Sequence, residues 1–171
     1  MGNTPEPVDL SPGKWIWFPS QRTLAKLGRI DVVLSELRKR WATMRSVVEN
    51  NTLQEAWQAE PDSTSQFSHC AVAPLYVLFM DIAGIRAAEA GFAKVAVRPQ
   101  LGDLRDLEVT ARTVKGDIEF AAKMEGRGHR VKVRLPRECE GEVVLEKGSE
   151  CGLPRVGGDG VLERYRMKAG G

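Results

Sequence analysis

Two ionisable side chains stand where catalytic groups are commonly found, in irregular segments beside helix ends. Glu55 follows the helix stop at Asn50-Asn51-Thr52, and His69 follows Ser68 at the start of an apolar helix. Binding and catalytic residues concentrate on such loops, so both are candidates for proton transfer or ligand binding. Each also has a plainer interpretation, because loop carboxylates are usually solvated and a histidine in a first helical turn is often structural.

Other kinds of chemical site find no support in the residue types. The three cysteines, Cys70, Cys139 and Cys151, have no metal-like spacing, and the chain has only two histidines, so we expect no metal. A Ser-His-Asp order and a phosphate-binding glycine loop are both missing, since the run at 157–160 is typical of a turn. We therefore expect no cofactor.

Composition and charge narrow the class of protein. The 171 residues carry 25 Lys and Arg against 23 Asp and Glu, a formal net charge of +2. This is too even for a protein that binds nucleic acid electrostatically. The N-terminus lacks a secretory signal pattern, and the longest apolar stretch, Cys70 to Met80, is too short to cross a bilayer. We expect a soluble protein without nucleic-acid or membrane partners, and the unpaired cysteines favour a reducing, cytoplasmic location.

The elements that must position Glu55 and His69 are helical. From about Thr23 to Val48, apolar residues recur every three or four positions and form one stripe, with a break at Gly28. The stripe consists of Leu27, Ile30, Val33, Leu34, Leu37, Trp41, Met44 and Val48. A second helix, apolar nearly all round, is predicted from about His69 to Ala83, ended by Gly84. Two helices cannot bury each other this completely, so the pattern predicts a further partner surface.

After Gly91 the apolar period becomes two, which is typical of strands. Predicted strands cover residues 93–98, 107–112, 118–123, 129–135, 142–146 and 161–166. Short strands separated by glycine turns favour an antiparallel sandwich with one wet face, so the predicted class is α+β. His129, flanked by Arg127 and Arg130, is interpreted as a surface residue.

An aromatic segment, Lys14–Pro19, follows an irregular lead over residues 1–13. In an extended strand, Trp15 and Trp17 share one face. The pair is interpreted either as an anchor against a core or as a platform on which a sugar stacks. We favour the anchor, because buried aromatic side chains dominate core energetics.

Several segments, read in order, resemble one enzyme family. They are Thr52–Trp57, Ser68–Cys70, Pro74–Leu78, Ile82–Arg86, and Glu89–Phe92 followed by Val95–Gln100. Over residues 25–147, their order and spacing are similar to those of the bacterial-type α-L-rhamnosidases, glycoside hydrolase family 78. Gln54 departs from the pattern, because the family usually has an aromatic residue directly before the matching glutamate.

The resemblance implies three regions: an irregular lead with a Trp-rich remnant (1–22), terminal helices of an (α/α)6 catalytic barrel (23–90), and a C-terminal antiparallel β-sandwich of jelly-roll type (91–171). The family cleaves terminal α-L-rhamnose with inversion, using one carboxylic acid and one carboxylate. By resemblance Glu55 is the general base, while Trp57 and His69 bind substrate. Rhamnose-containing glycosides are the implied partners.

The family's general acid lies upstream of these segments. The stretch Gly13–Pro19 resembles the start of full-length members, whereas Ala25–Arg29 resembles a late barrel helix. We therefore expect a chain that lacks the middle of the protein and is catalytically incomplete alone, so whether it is an enzyme stays open. The alternatives are a non-catalytic carbohydrate-binding or interaction module, and a vestigial fragment that oligomerises through an uncovered helical face.

Overall fold

The computed structural model describes residues 19–54, 72–126, 128–143, 150–151, 155–156 and 161–168, with side chains described for 21–54, 72–126 and 128–143. Short helices come first and two β-sheets follow, so the predicted α+β class is confirmed. The lead over residues 1–18, with Trp15 and Trp17, lies outside the described residues.

The helical part is made of short pieces. The α-helices are α1 (Pro19–Lys26), α2 (Ile30–Glu36), α3 (Arg45–Asn50) and α4 (Ala73–Val77). π-helical segments, Leu37–Trp41 and Leu78–Ile82, extend α2 and α4, and a 3-10 turn spans Ala90–Phe92. Gly28 (φ +74°) breaks the first helix as predicted, because it takes the left-handed conformation that glycine adopts most readily. The predicted N-cap, Ser68, lies outside the described residues.

Within the described ranges, nine strands form two sheets. They are β1 (Ile85–Ala87), β2 (Lys94–Val97), β3 (Asp106–Thr113), β4 (Gly116–Glu125), β5 (Gly128–Arg134), β6 (Glu140–Val143), β7 (Glu150–Cys151), β8 (Arg155–Val156) and β9 (Val161–Lys168). The first sheet has the order β1-β2-β6-β8 and the second has the order β3-β4-β5-β9-β7. Alternating burial along β4 and β5 gives the second sheet one buried and one wet face, as predicted.

One strand pair departs from the predicted antiparallel arrangement. β2 and β6 run parallel, with Val95 opposite Gly141, whereas the other described pairs are antiparallel. The cause is topological, since β3, β4 and β5 lie in the other sheet and the chain re-enters the first sheet beside β2. The short strand β1, where Ile85 pairs with Val97, was not predicted because three residues are too few to show a period.

The larger of two apolar clusters among the described residues joins the helices to both sheets. Val33 and Leu34 of α2 are buried in the same cluster as Val95 of β2 and Phe120 of β4. Trp41 and Met44 are buried in a second cluster with Ala73 of α4. The predicted need for an outside partner along the first stripe is therefore wrong over its central residues, because other parts of the same chain cover them. Only the two ends of the stripe, Leu27 and Val48, remain 71% exposed.

The loop after β2 packs against α2 and so connects the sheets to the helical part. Leu101 is buried, and a Cβ atom added at Gly102 would lie 2.9 Å from Cδ1 of Leu34. The absence of a side chain at Gly102 therefore lets the loop lie directly on α2. Beside it, Arg38 donates two hydrogen bonds to the carboxylate of Asp103, at 2.8 and 3.0 Å.

The second helix is only partly buried. Val77 and Ile82 lie in the core, but Val72 and Leu75 are exposed. The prediction that this helix is buried on most sides is therefore wrong for the face that carries Val72 and Leu75, which the described residues do not cover. Gly84 ends the helix as predicted, with φ of +72°.

Candidate functional site

The predicted site residues Glu55, Trp57 and His69 lie outside the described residues. The structure does describe the two chain ends that hold their segment, Thr52–Gln54 before it and Val72–Ala73 after it. The positions of these two ends therefore determine where the segment with the candidate site residues begins and ends.

The residues leading to Glu55 are tied to the start of α3. Backbone N–H of Ser46 donates to Oε1 of Gln54 at 3.2 Å, and Oγ of Ser46 donates to the carbonyl of Thr52 at 2.9 Å. Backbone N–H of Thr52 returns a bond of 3.1 Å to the carbonyl of Ser46. Asn51, in the left-handed conformation at φ 53°, turns the chain back along the helix.

Gln54 thus acts as a cap. Its buried amide oxygen accepts a first-turn N–H group that has no acceptor within its own helix. The residue that departs from the family pattern therefore has a structural role here. An aromatic residue at position 54 would remove the acceptor and leave the N–H of Ser46 without this bond.

A small apolar cluster holds both ends of the segment. Trp41, Met44 and Ala73 are buried together, and Leu53 packs against them. Leu53 lies just before the undescribed segment and Ala73 just after it. The two ends of residues 55–71 are consequently anchored to one cluster.

A buried carboxylate marks the junction between the helices and the first sheet. Asp81 is fully buried, and its Oδ1 accepts a hydrogen bond from Nη2 of Arg86 in β1. Nε of Arg86 also donates to the carbonyl of Met80 at 2.9 Å, and backbone N–H of Gln100 donates to the carbonyl of Ile82 at 2.9 Å. These bonds connect the end of the second helix to β1 and to the loop after β2.

Burial raises the pKa of Asp81, while the nearby charges of Arg86, Arg22 and Lys26 oppose that shift. A raised carboxyl pKa is also found in general acids. Asp81 does not suit that role, because its side chain has no exposed surface through which a substrate could reach it. We interpret it as a structural residue of the junction. Sequence reasoning missed Asp81, although a single carboxylate within the apolar run Leu75–Ile82 was a usable signal.

His129 is buried, so its interpretation as a surface residue was wrong. One ring nitrogen, Nε2, makes a hydrogen bond to the carbonyl of Leu104. His129 shares the alternation of Val131 and Val133, which point into the core. The strand period therefore placed it inward, and its charged neighbours misled the interpretation.

Within the described ranges, no group of three or more His, Cys, Asp and Glu side chains is placed to hold a metal ion. In the same part of the chain, no helix is both long and apolar enough to cross a bilayer.

The β part of the chain is similar to one protein family. Residues 84–158 match the family described as the bacterial alpha-L-rhamnosidase C-terminal domain. Over this range, the chain is similar to the C-terminal domain of α-L-rhamnosidases. The resemblance drawn from the sequence is thereby confirmed, and the matched range begins at Gly84, before the predicted boundary at residue 91.

Solved α-L-rhamnosidases share the fold over more than this domain. The enzyme from Aspergillus terreus matches with a TM-score of 0.68 and 22% identity over 85% of this chain, and that from Dictyoglumus thermophilum with 0.62 and 20% over 88%. A GH78 family rhamnosidase of Bacillus sp. GL1 matches with 0.60 and 25% over 74%. Coverage of this extent includes helices that precede the rhamnosidase C-terminal domain.

The chain spans only a small part of these rhamnosidases, 18%, 21% and 14% of their respective lengths. Among curated proteins, no sequence matches the chain.

Proposed function

We propose that this chain forms the closing part of an α-L-rhamnosidase-like glycoside hydrolase that cleaves terminal α-L-rhamnose with inversion. One observation carries the proposal: the likeness to the Aspergillus terreus α-L-rhamnosidase covers 85% of the chain, helices as well as sheets. In this proposal, residues 23–90 supply the last helices of an (α/α)6 barrel and residues 91–171 the sandwich that covers them.

Glu55 is the proposed general base. Two bonds from Ser46 and the apolar cluster around Trp41 fix the chain just before Glu55, and catalysis requires such a positioned group. His69 and Trp57 are proposed to bind the sugar. They belong to the segment whose two ends are anchored on that same cluster.

The chain alone is proposed to be inactive. Inversion needs a carboxylic acid and a carboxylate about 6.5–9.5 Å apart, on opposite sides of the scissile bond. Among the described residues, the carboxyl group with a raised pKa is Asp81, and it is fully buried in the junction. The acid is proposed to lie on earlier barrel helices that this chain does not supply, since the chain spans 21% and 18% of the lengths of two solved rhamnosidases.

The test is a chimera in which residues 19–168 replace the corresponding region of the Dictyoglumus thermophilum rhamnosidase, whose match covers 88% of this chain. We expect the chimera to hydrolyse an aryl α-L-rhamnoside, and Glu55→Gln to lower kcat by about 10²–10⁴-fold through loss of the base. Glu49→Gln is the matched control, because Glu49 is exposed and pairs with Arg45 on the same helix. Full activity of the Glu55→Gln chimera, or hydrolysis by the unfused chain, would contradict the proposal.

A further inference from the structure

The wet face of the second sheet contains a groove that no part of the proposed catalytic site uses. Its volume is about 520 Å³, within the range of small-molecule sites. The outward side chains lining it are Glu108, Thr110, Glu119, Ala121, Lys132 and Arg134, from β3, β4 and β5.

Strand register explains why a groove forms here. Ala121 lies between Glu108 on β3 and Lys132 on β5. Neighbouring strands are about 4.8 Å apart, so the two outer Cα atoms are about 10 Å apart with only a methyl group between them. The long flanking side chains therefore form walls, and Ala121 forms the floor.

The next row of residues across the three strands forms a polar wall of the groove. Thr110, Glu119 and Arg134 lie opposite one another, and Nη1 of Arg134 donates to Oε2 of Glu119 at 2.9 Å. This cross-strand bond brings the two half-exposed side chains together on the wet face. Donors and acceptors consequently stand side by side along the groove.

The charges of the lining residues indicate which class of ligand the groove would bind. Glu108 and Glu119 balance Lys132 and Arg134, so the lining has no net formal charge. A charged ligand would have to compete with the Glu119–Arg134 pair for its partner. A neutral polyhydroxylated ring does not, since each hydroxyl both donates and accepts, and its carbon face suits a methyl floor.

We propose that this groove is a saccharide-binding site for a neutral sugar, separate from the segment that carries Glu55. The site is open to solvent and made of charged side chains, which are well hydrated before binding. We therefore expect weak binding, with a dissociation constant of the order of 1 mM.

The test is a titration of the ¹⁵N-labelled chain with methyl α-L-rhamnopyranoside and with cellobiose, both neutral. We expect saturable amide shifts at Thr110, Ala121 and Lys132 with at least one of them, and smaller shifts with galacturonate or glucosamine. Ala121→Leu fills the floor and should abolish the shifts. Ala87→Leu, at an exposed alanine of the other sheet, should leave them unchanged.

Three results would overturn the proposal: no saturable shift with either neutral sugar, shifts that persist in Ala121→Leu, or stronger shifts with a charged sugar. Either of the first two would mean that the groove is only a solvated, ion-paired sheet face, and the third would mean that its ligand is charged. If Ala121→Leu unfolds, Glu108→Gln, on the exposed wall, replaces it and should weaken binding. The outcome is independent of the chimera experiment, because this test measures binding in the sandwich and the chimera reports hydrolysis at Glu55.

Discussion

Arg38 and Asp103 join the helical part to the sheets through a two-bond ion pair across the loop after β2. The hydrogen bond from Arg38 holds the pKa of Asp103 below its ordinary value of 3.8. Because the folded-state pKa is lowered, the pair stabilises the fold above that ordinary value, and this stabilisation is lost as the pH falls through the lowered pKa.

Asp103→Asn should therefore lower the free energy of unfolding at neutral pH by no more than about 1 kcal/mol, because both side chains are largely exposed and screened by water. Chemical denaturation at neutral pH and near pH 2 measures the difference. We expect it to vanish at the lower pH and to shrink in high salt. An equal loss at both pH values would contradict an electrostatic origin.

The buried pair at the junction should behave differently. Arg86→Met leaves the carboxylate of Asp81 buried without its hydrogen-bond partner. We expect a loss of the order of 2 kcal/mol, below the roughly 3–5 kcal/mol of a fully buried pair, because the Arg86 side chain is 34% exposed. Adding Asp81→Asn to this variant should recover part of the loss in denaturant titrations. If the double variant loses more stability than the two single variants lose together, the result would count against the pairing.

The pH dependence of Asp81 has the opposite sign to that of Asp103. Burial raises the pKa of Asp81, so the folded state binds this proton more tightly than the unfolded state does. Its contribution to stability is full below the ordinary value of 3.8 and is lost as the pH rises through the raised pKa. Asp81→Asn cannot titrate, so its stability relative to the wild type should rise between pH 3 and pH 7. A difference in stability that stays constant over this pH range would show that the pKa of Asp81 is not shifted.

The cap formed by Gln54 gives a local prediction. Gln54→Leu keeps the side-chain volume near its native value but removes the oxygen that accepts from Ser46. We expect a loss of about 1–2 kcal/mol, because a buried N–H is left without this acceptor. Amide hydrogen exchange at Ser46 should accelerate, while exchange at Val133, in the centre of the second sheet, serves as the internal reference. Unchanged exchange at Ser46 would exclude the capping role.

Substitutions at Gly84 and Gly126 can separate the cost of steric crowding from the cost of an unfavourable backbone conformation. At Gly84 an added Cβ would lie 2.0 Å from the carbonyl oxygen of Arg98, whereas at Gly126 it would meet nothing within 4 Å. Both have positive φ, so Gly126→Ala should cost about 1–2 kcal/mol through conformation alone. Gly84→Ala should cost more, because the backbone of Arg98, directly after β2, must also move. Equal melting temperatures for the two variants would refute this packing.

The strands were predictable because alternation is visible within a single strand. β3, β4 and β5 each have a clear period of two. The predicted ranges fall inside observed β3 and β4, and the range predicted for β5 extends one residue beyond its observed end at Arg134. The parallel pairing of β2 with β6 was not predictable, because it depends on which sheet the chain re-enters and leaves no local pattern. Likewise, the packing of Leu34 against the loop at Gly102 joins residues more than sixty positions apart and leaves no local pattern.

The candidate site could be predicted only in part. Glu55, Trp57 and His69 came from the resemblance, and they stay predictions because the structure does not describe them. The role of Gln54 was not visible in the sequence, since a hydrogen bond across eight residues depends on the turn at Asn51.

Parallel pairing of β2 with β6 also bears on the order in which the chain folds. Glu140 follows Val97 by more than forty residues, and β6 meets β2 only after the intervening chain has crossed to the other sheet and returned. Closing so long a loop costs entropy that local hairpins avoid. We expect the β3–β4–β5 meander to form first and to act as the template on which the first sheet closes. Substitutions within that meander should then slow refolding, while those in β6 should mainly accelerate unfolding.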